Sequence, residues 1–409
     1  MSILKSKTVR QTAILFGAQL AMVGIGFGIK TIQTRFLGPE GYGLYAFFGS
    51  ITGLAVLFFR LGFFSSLQVV IAETNDPQKE REYFGLGFLI NLVVGILFSI
   101  FIWISSIYID KWYPIDMGWI FRAVAPLAII LPTRALIEAL SVGSNKVQIV
   151  PIYDNVSKLL FVMALIIIGF YGELNVFNAI AFNLITLIVS FWVVYRQFSP
   201  SYKNIKSNFG TLWKKVKSYG FPFYIGNTAN QSTFKLDEIF ISYFINTTVN
   251  GFYTLATIIA SPMVMGSQAL SNALFKDFST QERIPKKVFI YNTLWLIVSI
   301  TFLFFTSKWI VILFFGEEFS QVPLYITGLS IAFFFQGLYQ PFNFLMAKSK
   351  GKELRNVAIL EAVINLTGNI ALIPILGVTG AIYTSILAKF IHFLGKWYYY
   401  NRYINGKLN

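Results

Sequence analysis

The sequence has no cysteine and one histidine, His392, so neither disulfides nor thiolate metal sites can form. It has no GxxxxGK[ST] phosphate loop and no HExxH pair, which removes the usual sequence support for ATP use or zinc chemistry. Charge is scarce: 12% of the 409 residues are charged and 56% are hydrophobic, whereas soluble domains carry about a quarter charged residues. Acids are scarcer still, with 18 Asp and Glu against 33 Lys and Arg and a net charge of +15. A soluble enzyme or nucleic-acid-binding domain is excluded by this balance, and an all-α polytopic membrane protein is expected.

What the chain does have is long apolar runs. About twelve spans are expected, near 11–34, 43–72, 83–108, 117–142, 149–171, 174–196, 218–244, 249–275, 287–306, 321–346, 353–375 and 378–400. The leading segment MSILKSKTVRQ is basic and lacks a small-residue cleavage site, so it is expected to stay attached ahead of the first span. An even number of spans puts both termini on one side. Most lysines and arginines fall in the connections of that side, including Lys79, Arg81, Lys146, Lys214, Lys215, Lys217, Lys286, Lys287, Lys348, Lys350 and Lys352. The opposite connections hold Arg35, Lys111 and Lys308. By the positive-inside rule the termini are expected in the cytoplasm, and an anionic leaflet rather than nucleic acid is the partner of the positive charge.

The most informative stretch is residues 218–244, SYGFPFYIGNTANQSTFKLDEIFISYF. Asn227, Gln231, Lys235, Glu238 and Ser242 recur at steps of four, four, three and four, which makes one polar stripe on a helix; Asp237 sits at its edge. Charges at the bilayer centre cost roughly 2.5–3.5 kcal/mol each, so these residues must face water or one another. The stripe is therefore either a buried ion-pair network or the lining of a polar transport cavity. Other cations inside spans are Lys30, Arg60, Arg122, Arg134, Lys158, Arg355 and Lys389. Arg134 with Glu138 and Asp154 with Lys158 can pair at i,i+4, and Lys30, Arg122 and Arg355 can snorkel. Arg60 and Lys389 have no partner on their own helix and are expected to face a cavity. Amide stripes recur at Gln336, Gln340 and Asn343, and at Asn365 and Asn369 beside Glu361. Each alone is ordinary interhelical glue, while several together favour a wet interior. His392, with Lys389 and Lys396 nearby and no acid in its own span, reads as an interfacial residue rather than a general base.

Residues 197–217 form the one long cytoplasmic connection, and Phe209, Leu212, Trp213 and Val216 keep helical spacing within it. The expected organisation is an N-terminal six-helix bundle (1–196), an amphipathic cytoplasmic linker (197–217) and a C-terminal six-helix bundle (218–409). The halves resemble each other weakly: Gly43-Leu44-Tyr45 opens the second span and Gly251-Phe252-Tyr253 the eighth, and Asp154 and Glu361 fall in the fifth and eleventh. A parallel duplication of this kind puts a substrate path between the repeats. Pro262 and Pro341 should kink their helices, and helix breakers at depth concentrate in the second half.

Several stretches carry a family resemblance: TRFLGPEGYGLYAF (34–47), RALIEALSVGSNK (134–146), residues 219–244, NGFYTLA (250–256), FGEEF (315–319) and LGVTGAIYTSILA (376–388). In them the chain resembles the polysaccharide biosynthesis protein family, the O-antigen or repeat-unit flippases of the multidrug/oligosaccharidyl-lipid/polysaccharide exporter superfamily. The resemblance implies two six-helix bundles that rock between inward-open and outward-open forms. The implied cargo is an undecaprenyl-diphosphate-linked oligosaccharide moved across the bacterial inner membrane for O-antigen, capsule or exopolysaccharide assembly. It implies no enzymatic activity and no cofactor, coupling to H+ or Na+, and a polymerase and chain-length regulator of the same pathway as partners.

On this reading Arg35, Arg60, Asn227, Gln231, Lys235 and Lys389 bind substrate, and Asp237, Glu238 and Glu361 couple the ion. Arg35 and Arg60 sit where the related peptidoglycan-precursor flippases also place arginine, but Phe36 follows Arg35 where those have a cation–acid pair, which disfavours that cargo. A multidrug exporter ranks lower because organic cations prefer acid-lined cavities. A membrane-embedded polymerase or ligase ranks lower still because the outer connections are short.

Overall fold

The computed structural model describes residues 7–146, 148–348 and 350–406; side chains of residues 7–23, 170, 222, 226, 227, 229, 230, 233, 234, 273, 276 and 279 lie outside the description. Among the described residues the secondary structure is helical, without strands. In chain order the helices are α1 (Lys7–Phe59), α2 (Phe63–Ala72), α3 (Pro77–Trp112), α4 (Gly118–Val124), α5 (Thr133–Gly143), α6 (Ile149–Tyr171), α7 (Val176–Phe198) and α8 (Ile205–Lys215). They continue as α9 (Phe221–Phe244), α10 (Thr247–Ala260), α11 (Pro262–Ala273), α12 (Phe275–Thr280), α13 (Lys286–Phe314), α14 (Val322–Leu338), α15 (Phe344–Ala347), α16 (Gly351–Leu376) and α17 (Val378–Ile404).

Among the described residues eight helical stretches are long and apolar enough to cross a membrane, α14 counting together with the following turn and α15 as Val322–Ala347, or ten when the two bent pairs Gly118–Val124 with Leu127–Gly143 and Thr247–Ala260 with Pro262–Asn272 each count as one span. The difference from about twelve has two physical causes. The expected connection around 35–42 is a kink rather than a loop: α1 runs through it, and Gly38 alone leaves helical geometry (φ 65°, ψ −178°). Gly38 supplies a backbone that side-chain-bearing residues avoid, and Pro39 restarts the helix where its missing N–H costs nothing. In addition, α9 is not among the eight, because its polar stripe lowers the hydropathy that a span would otherwise show.

The chain groups into two compact units, one of Met1–Tyr42 with Phe58–Tyr224 and one of Gly43–Leu57 with Ile225–Asn409. The second arm of α1 therefore belongs with the C-terminal helices. Gly43 explains its docking there: a Cβ would stand 2.4 Å from the Thr247 carbonyl oxygen, so only glycine lets α1 approach the start of α10 this closely.

In the first unit a core of Phe64, Leu67, Tyr83, Phe84, Leu136, Leu140, Tyr153 and Phe198 joins α2, α3, α5, α6 and α7. The linker helix α8 completes it. Leu212 and Val216 are buried in this core, whereas Phe209 and Trp213 of the same expected face are each 41% exposed, Trp213 stacking on Phe63 at 5.9 Å. A π-helical turn at Val216–Gly220 leads from α8 into α9. Gly62 (φ 76°) lies against Gly220, where a Cβ would meet the Gly220 backbone at 2.5 Å, and the Tyr224 hydroxyl donates to the Phe58 carbonyl at 2.9 Å. The expected span 43–72 is thus interrupted at residues 60–62, the turn that joins α1 to α2.

In the second unit α10, α11, α13, α14, α16 and α17 pack on one another. Pro262 opens α11 after a 41° bend from α10, and Pro341 lies in the 3-10 turn Gln340–Asn343 that ends α14. Both breaks fall where the prolines remove backbone donors. The first unit contains a larger one, 65° between α4 and the segment Leu127–Gly143 that includes α5, with Pro126 at the break, so helix breaking is not concentrated in the second half. Away from these interiors, large apolar side chains such as Phe305 (70% exposed), Leu313 (70%) and Trp309 (75%) of α13 face outward, as lipid-facing residues do.

Candidate functional site

The site is built where α9, α10, α16 and α17 of the second unit meet the second arm of α1. Its register follows from the hairpin between α16 and α17. Gly377 (φ 61°) reverses the chain, and Gly380 packs so closely on the Leu372 carbonyl that a Cβ would stand 2.3 Å away. Asn369 and Ser385, equidistant from the turn, then come together, and further along Glu361 meets Lys389 and His392, one helical turn apart on α17. The two layers are separated by eight residues of α16, about 12 Å at 1.5 Å per residue.

The upper layer centres on Asp237, which is 6% exposed. Its carboxylate accepts from the Tyr253 hydroxyl of α10 at 2.8 Å, from the Ser385 hydroxyl of α17 at 2.8 Å and from Asn369 Nδ2 of α16. Asn369 also donates to Asn365 Oδ1 at 3.2 Å. These donors are neutral; no cation pairs with Asp237 among the described residues. Two buried oxygens on the same hairpin, Asn369 Oδ1 and Thr384 Oγ1, have no hydrogen-bond partner.

One residue along α9, Glu238 is 5% exposed and engages the other neighbours. Lys235 Nζ donates to Glu238 Oε2 at 2.8 Å, the Ser50 hydroxyl of α1 donates to the same oxygen, and Ser242 bonds back to the Glu238 carbonyl at 2.9 Å. The Lys235 side chain stays 35% exposed, with Gly53 opposite leaving room for its stem. Adjacent acids on α9 therefore differ in kind: Glu238 is ion-paired and Asp237 is held by dipoles.

The lower layer is an ion cluster. Glu361 (3% exposed) accepts from Lys389 Nζ at 2.6 Å and contacts His392 Nδ1. The His392 ring stacks on Tyr339 at 4.2 Å, Lys396 Nζ lies 4.5 Å from the same tyrosine ring, and Lys396 donates to Asn343 Oδ1 at 3.3 Å.

Of the residues singled out in the sequence, Lys235, Asp237, Glu238, Glu361 and Lys389 gather in this part of the second unit, and Gln231 lies one turn before Lys235 on α9. The Asn227 side chain lies outside the described residues. Arg35 and Arg60 belong to the first unit. Arg35 is an exposed residue of α1 ahead of the Gly38 kink. Arg60 sits in the α1–α2 turn instead of mid-helix, partly buried, with its Nε lacking a partner among the described residues and Glu138 of α5 acting on it as an opposite charge. The Arg134–Glu138 pair is present at 3.6 Å, but Arg134 is held more closely by Asp154 of α6, with both contacts at 2.9 Å.

Lys389 and His392 differ from the sequence reading. Lys389 has its partner across the hairpin, 28 residues away, and His392 is buried against an acid of the neighbouring helix rather than interfacial. Ser50, Tyr253 and Ser385 gave no periodic signal of their own and were missed, and Lys396 was noted only as a neighbour of His392; the Gly377 turn is the feature from which the pairing of α16 with α17 could have been read. Among the described residues no group of three or more His, Cys, Asp or Glu is arranged to hold a metal ion.

With this geometry in place, comparison with known proteins gives consistent results. A sequence model described as polysaccharide biosynthesis protein matches residues 8–275. The capsular polysaccharide biosynthesis protein CapF of Staphylococcus aureus is 22% identical over 422 residues, covering 96% of this chain and 99% of that one. Among solved structures, the lipid II flippase MurJ in an inward closed conformation superposes with a TM-score of 0.73 at 16% identity, covering 94% of this chain and 87% of that one. An inward-facing multidrug resistance MATE family transporter of the MOP superfamily superposes with a TM-score of 0.66 at 11% identity, covering 94% of each. At these identities the structural matches establish the fold.

Proposed function

Because the chain belongs to the polysaccharide biosynthesis protein family, we propose that it is a flippase that carries an undecaprenyl-diphosphate-linked oligosaccharide across the bacterial inner membrane, both termini cytoplasmic, for capsule, O-antigen or exopolysaccharide assembly. The observation that carries this reading is the constellation on α9, where three charged residues in four are sheltered within a membrane protein and matched by groups from four other helices. Evolution of purely structural glue needs no half-exposed lysine. Lys235 is the cation of the α9 stripe left partly accessible, suited to a diphosphate, while Glu238 accepts one of the three protons of its ammonium and orients it. The lipid tail would remain in the bilayer, where its transfer costs nothing.

Asp237 is the group we assign to ion coupling. A carboxylate in low dielectric without a counter-ion is costly, so it is stable either protonated or beside a monovalent cation. The unpartnered oxygens Asn369 Oδ1 and Thr384 Oγ1 fit a hard cation such as Na+ as well as they fit a shared proton. When bound, such an ion supplies the missing positive charge; the chain's own contribution is three donors that keep the carboxylate oriented. Arg35, Arg60, Gln231 and Asn227 remain assigned to substrate contact; Lys389, read from the sequence as a substrate contact, and Glu238 and Glu361, read as coupling acids, are each ion-paired and are reassigned to supporting charge. The reading assigns transport and no bond-making chemistry.

Deletion of the gene followed by mass spectrometry of membrane lipids tests the proposal. Accumulation of one lipid-linked oligosaccharide with loss of surface polymer is expected. Unchanged lipid pools together with heightened sensitivity to cationic drugs would favour a multidrug exporter instead.

A further inference from the structure

The lower-layer cluster is not used by the transport reading beyond Glu361 and Lys389, and its composition is unusual for a helix interior. Two lysines, one histidine and one carboxylate are each less than a tenth exposed: Glu361 3%, His392 6%, Lys389 7% and Lys396 7%. One negative charge thus serves two ammonium groups. Lys389 lies directly on Glu361, and among the described residues Lys396 meets the Asn343 amide oxygen and the Tyr339 ring.

The histidine is the poised member. Because Glu361 Oε2 faces Nδ1, the neutral ring carries its proton on Nδ1 and donates it to the carboxylate, which leaves Nε2 a bare lone pair. Nε2 is buried and has no partner. The titratable groups facing the ring are Glu361 from α16, Tyr339 from the end of α14, and Lys389 and Lys396 from α17 itself; the 3-10 turn contributes only the neutral Asn343. A proton taken from water onto Nε2 makes a third cation beside one anion, and the added repulsion falls on the contacts that seat α17 against α14 and α16.

We propose that His392, framed by Glu361, Lys389 and Lys396, is a proton-binding site distinct from Asp237, and that its occupancy loosens the packing of α17. Its role in transport rests on the flippase reading; the binding of the proton does not. Neutral His392 locks the lower layer, and protonated His392 releases it while Asp237 in the upper layer keeps its own ion.

His392 is the sole histidine of the sequence, which makes the test direct. The full chain, purified without a histidine tag and placed in lipid nanodiscs, is labelled with 15N-histidine, and its imidazole nitrogens are followed by NMR. The pH is taken from about 9 down to about 4; the Nδ1–H tautomer is expected at the alkaline end, with protonation of Nε2 on acidification within this window. Removing the competing cation in Lys396→Gln should raise the midpoint by about one pH unit or more, Glu361→Gln should lower it by a similar amount, and the charge-keeping Lys396→Arg should leave it near wild type. Amide exchange along α17, corrected for intrinsic rates, should rise on protonation in the wild type and lose that dependence in His392→Gln. A ring that never changes charge in this window, midpoints that do not move among the variants, or exchange in His392→Gln that follows the wild type would each overturn the site. Lipid pools that rule out the flippase reading would leave these titrations unchanged, so the two failures are separable.

Discussion

Asp237 and Glu238 are neighbours in sequence with opposite solutions to the same problem, a carboxylate in a membrane helix. Glu238 takes a lysine three residues back, whereas Asp237 takes hydroxyl and amide donors from residues 16, 132 and 148 positions away. The four-residue recurrence of polar groups on α9 was visible in the sequence because helical periodicity is local. Of the donors to Asp237, Asn369 lies in an amide stripe that the sequence shows, whereas Tyr253 and Ser385 do not stand out, because single Ser and Tyr on apolar helices give no such pattern. Asp237→Asn preserves shape, its oxygen still accepting from Asn369 while its amide N–H groups donate to the Tyr253 and Ser385 hydroxyls, which can turn to accept, so thermal melting in detergent should shift little while flipping in vesicles loses its dependence on the imposed proton or sodium gradient. Retained gradient dependence would remove Asp237 from coupling. Gly62 offers a stability counterpart: alanine there must hold a positive φ, costing about 1–2 kcal/mol, and meet the Gly220 backbone at 2.5 Å besides. Gly62→Ala should therefore melt several degrees lower, and an unchanged melting temperature would contradict the packing described at the α1–α2 turn.

Single elements show why boundaries were harder to read than faces. Hydropathy marks a connection by polar residues, and TRFLGPEGYG looked like one; the backbone instead needs one glycine, Gly38, to break α1 and one proline to restart it. Breaks at Pro262 and Pro341 were legible because proline acts locally. The linker helix α8 was recognised by its amphipathic spacing, but spacing cannot say that its face divides, with Leu212 and Val216 packed into the first unit and Phe209 and Trp213 half-exposed. This division makes a prediction within one helix. Leu212→Ala removes a fully buried side chain and should cost about 2–5 kcal/mol, whereas Phe209→Ala should cost less than half as much. Equal losses in the melting temperatures of the two variants would show that the two residues share one environment.

At the scale of the molecule, composition and charge asymmetry made the membrane class and the all-helical fold legible, and the family followed from motifs spread along the chain. Orientation rests on the distribution of Lys and Arg. The absence of cysteine provides a clean background for testing it. Asp116→Cys, before α4, should react with a membrane-impermeant maleimide added to intact cells, and Thr211→Cys, on α8, only after permeabilisation; the reverse pattern would invert the topology. The central claim is that this chain moves a lipid-linked oligosaccharide by means of the α9 charges. Its most direct measurement is flipping by the purified protein in vesicles loaded on one leaflet with undecaprenyl-diphosphate-linked oligosaccharide, with the fraction protected from an external sugar-modifying enzyme recorded over time. The account predicts gradient-dependent protection that is lost in Lys235→Gln, a variant that keeps Asp237 and offers Glu238 an amide donor in place of the ammonium, its folding checked by the melting temperature. Protection that is no faster than in protein-free vesicles, or that is indifferent to Lys235, would contradict it.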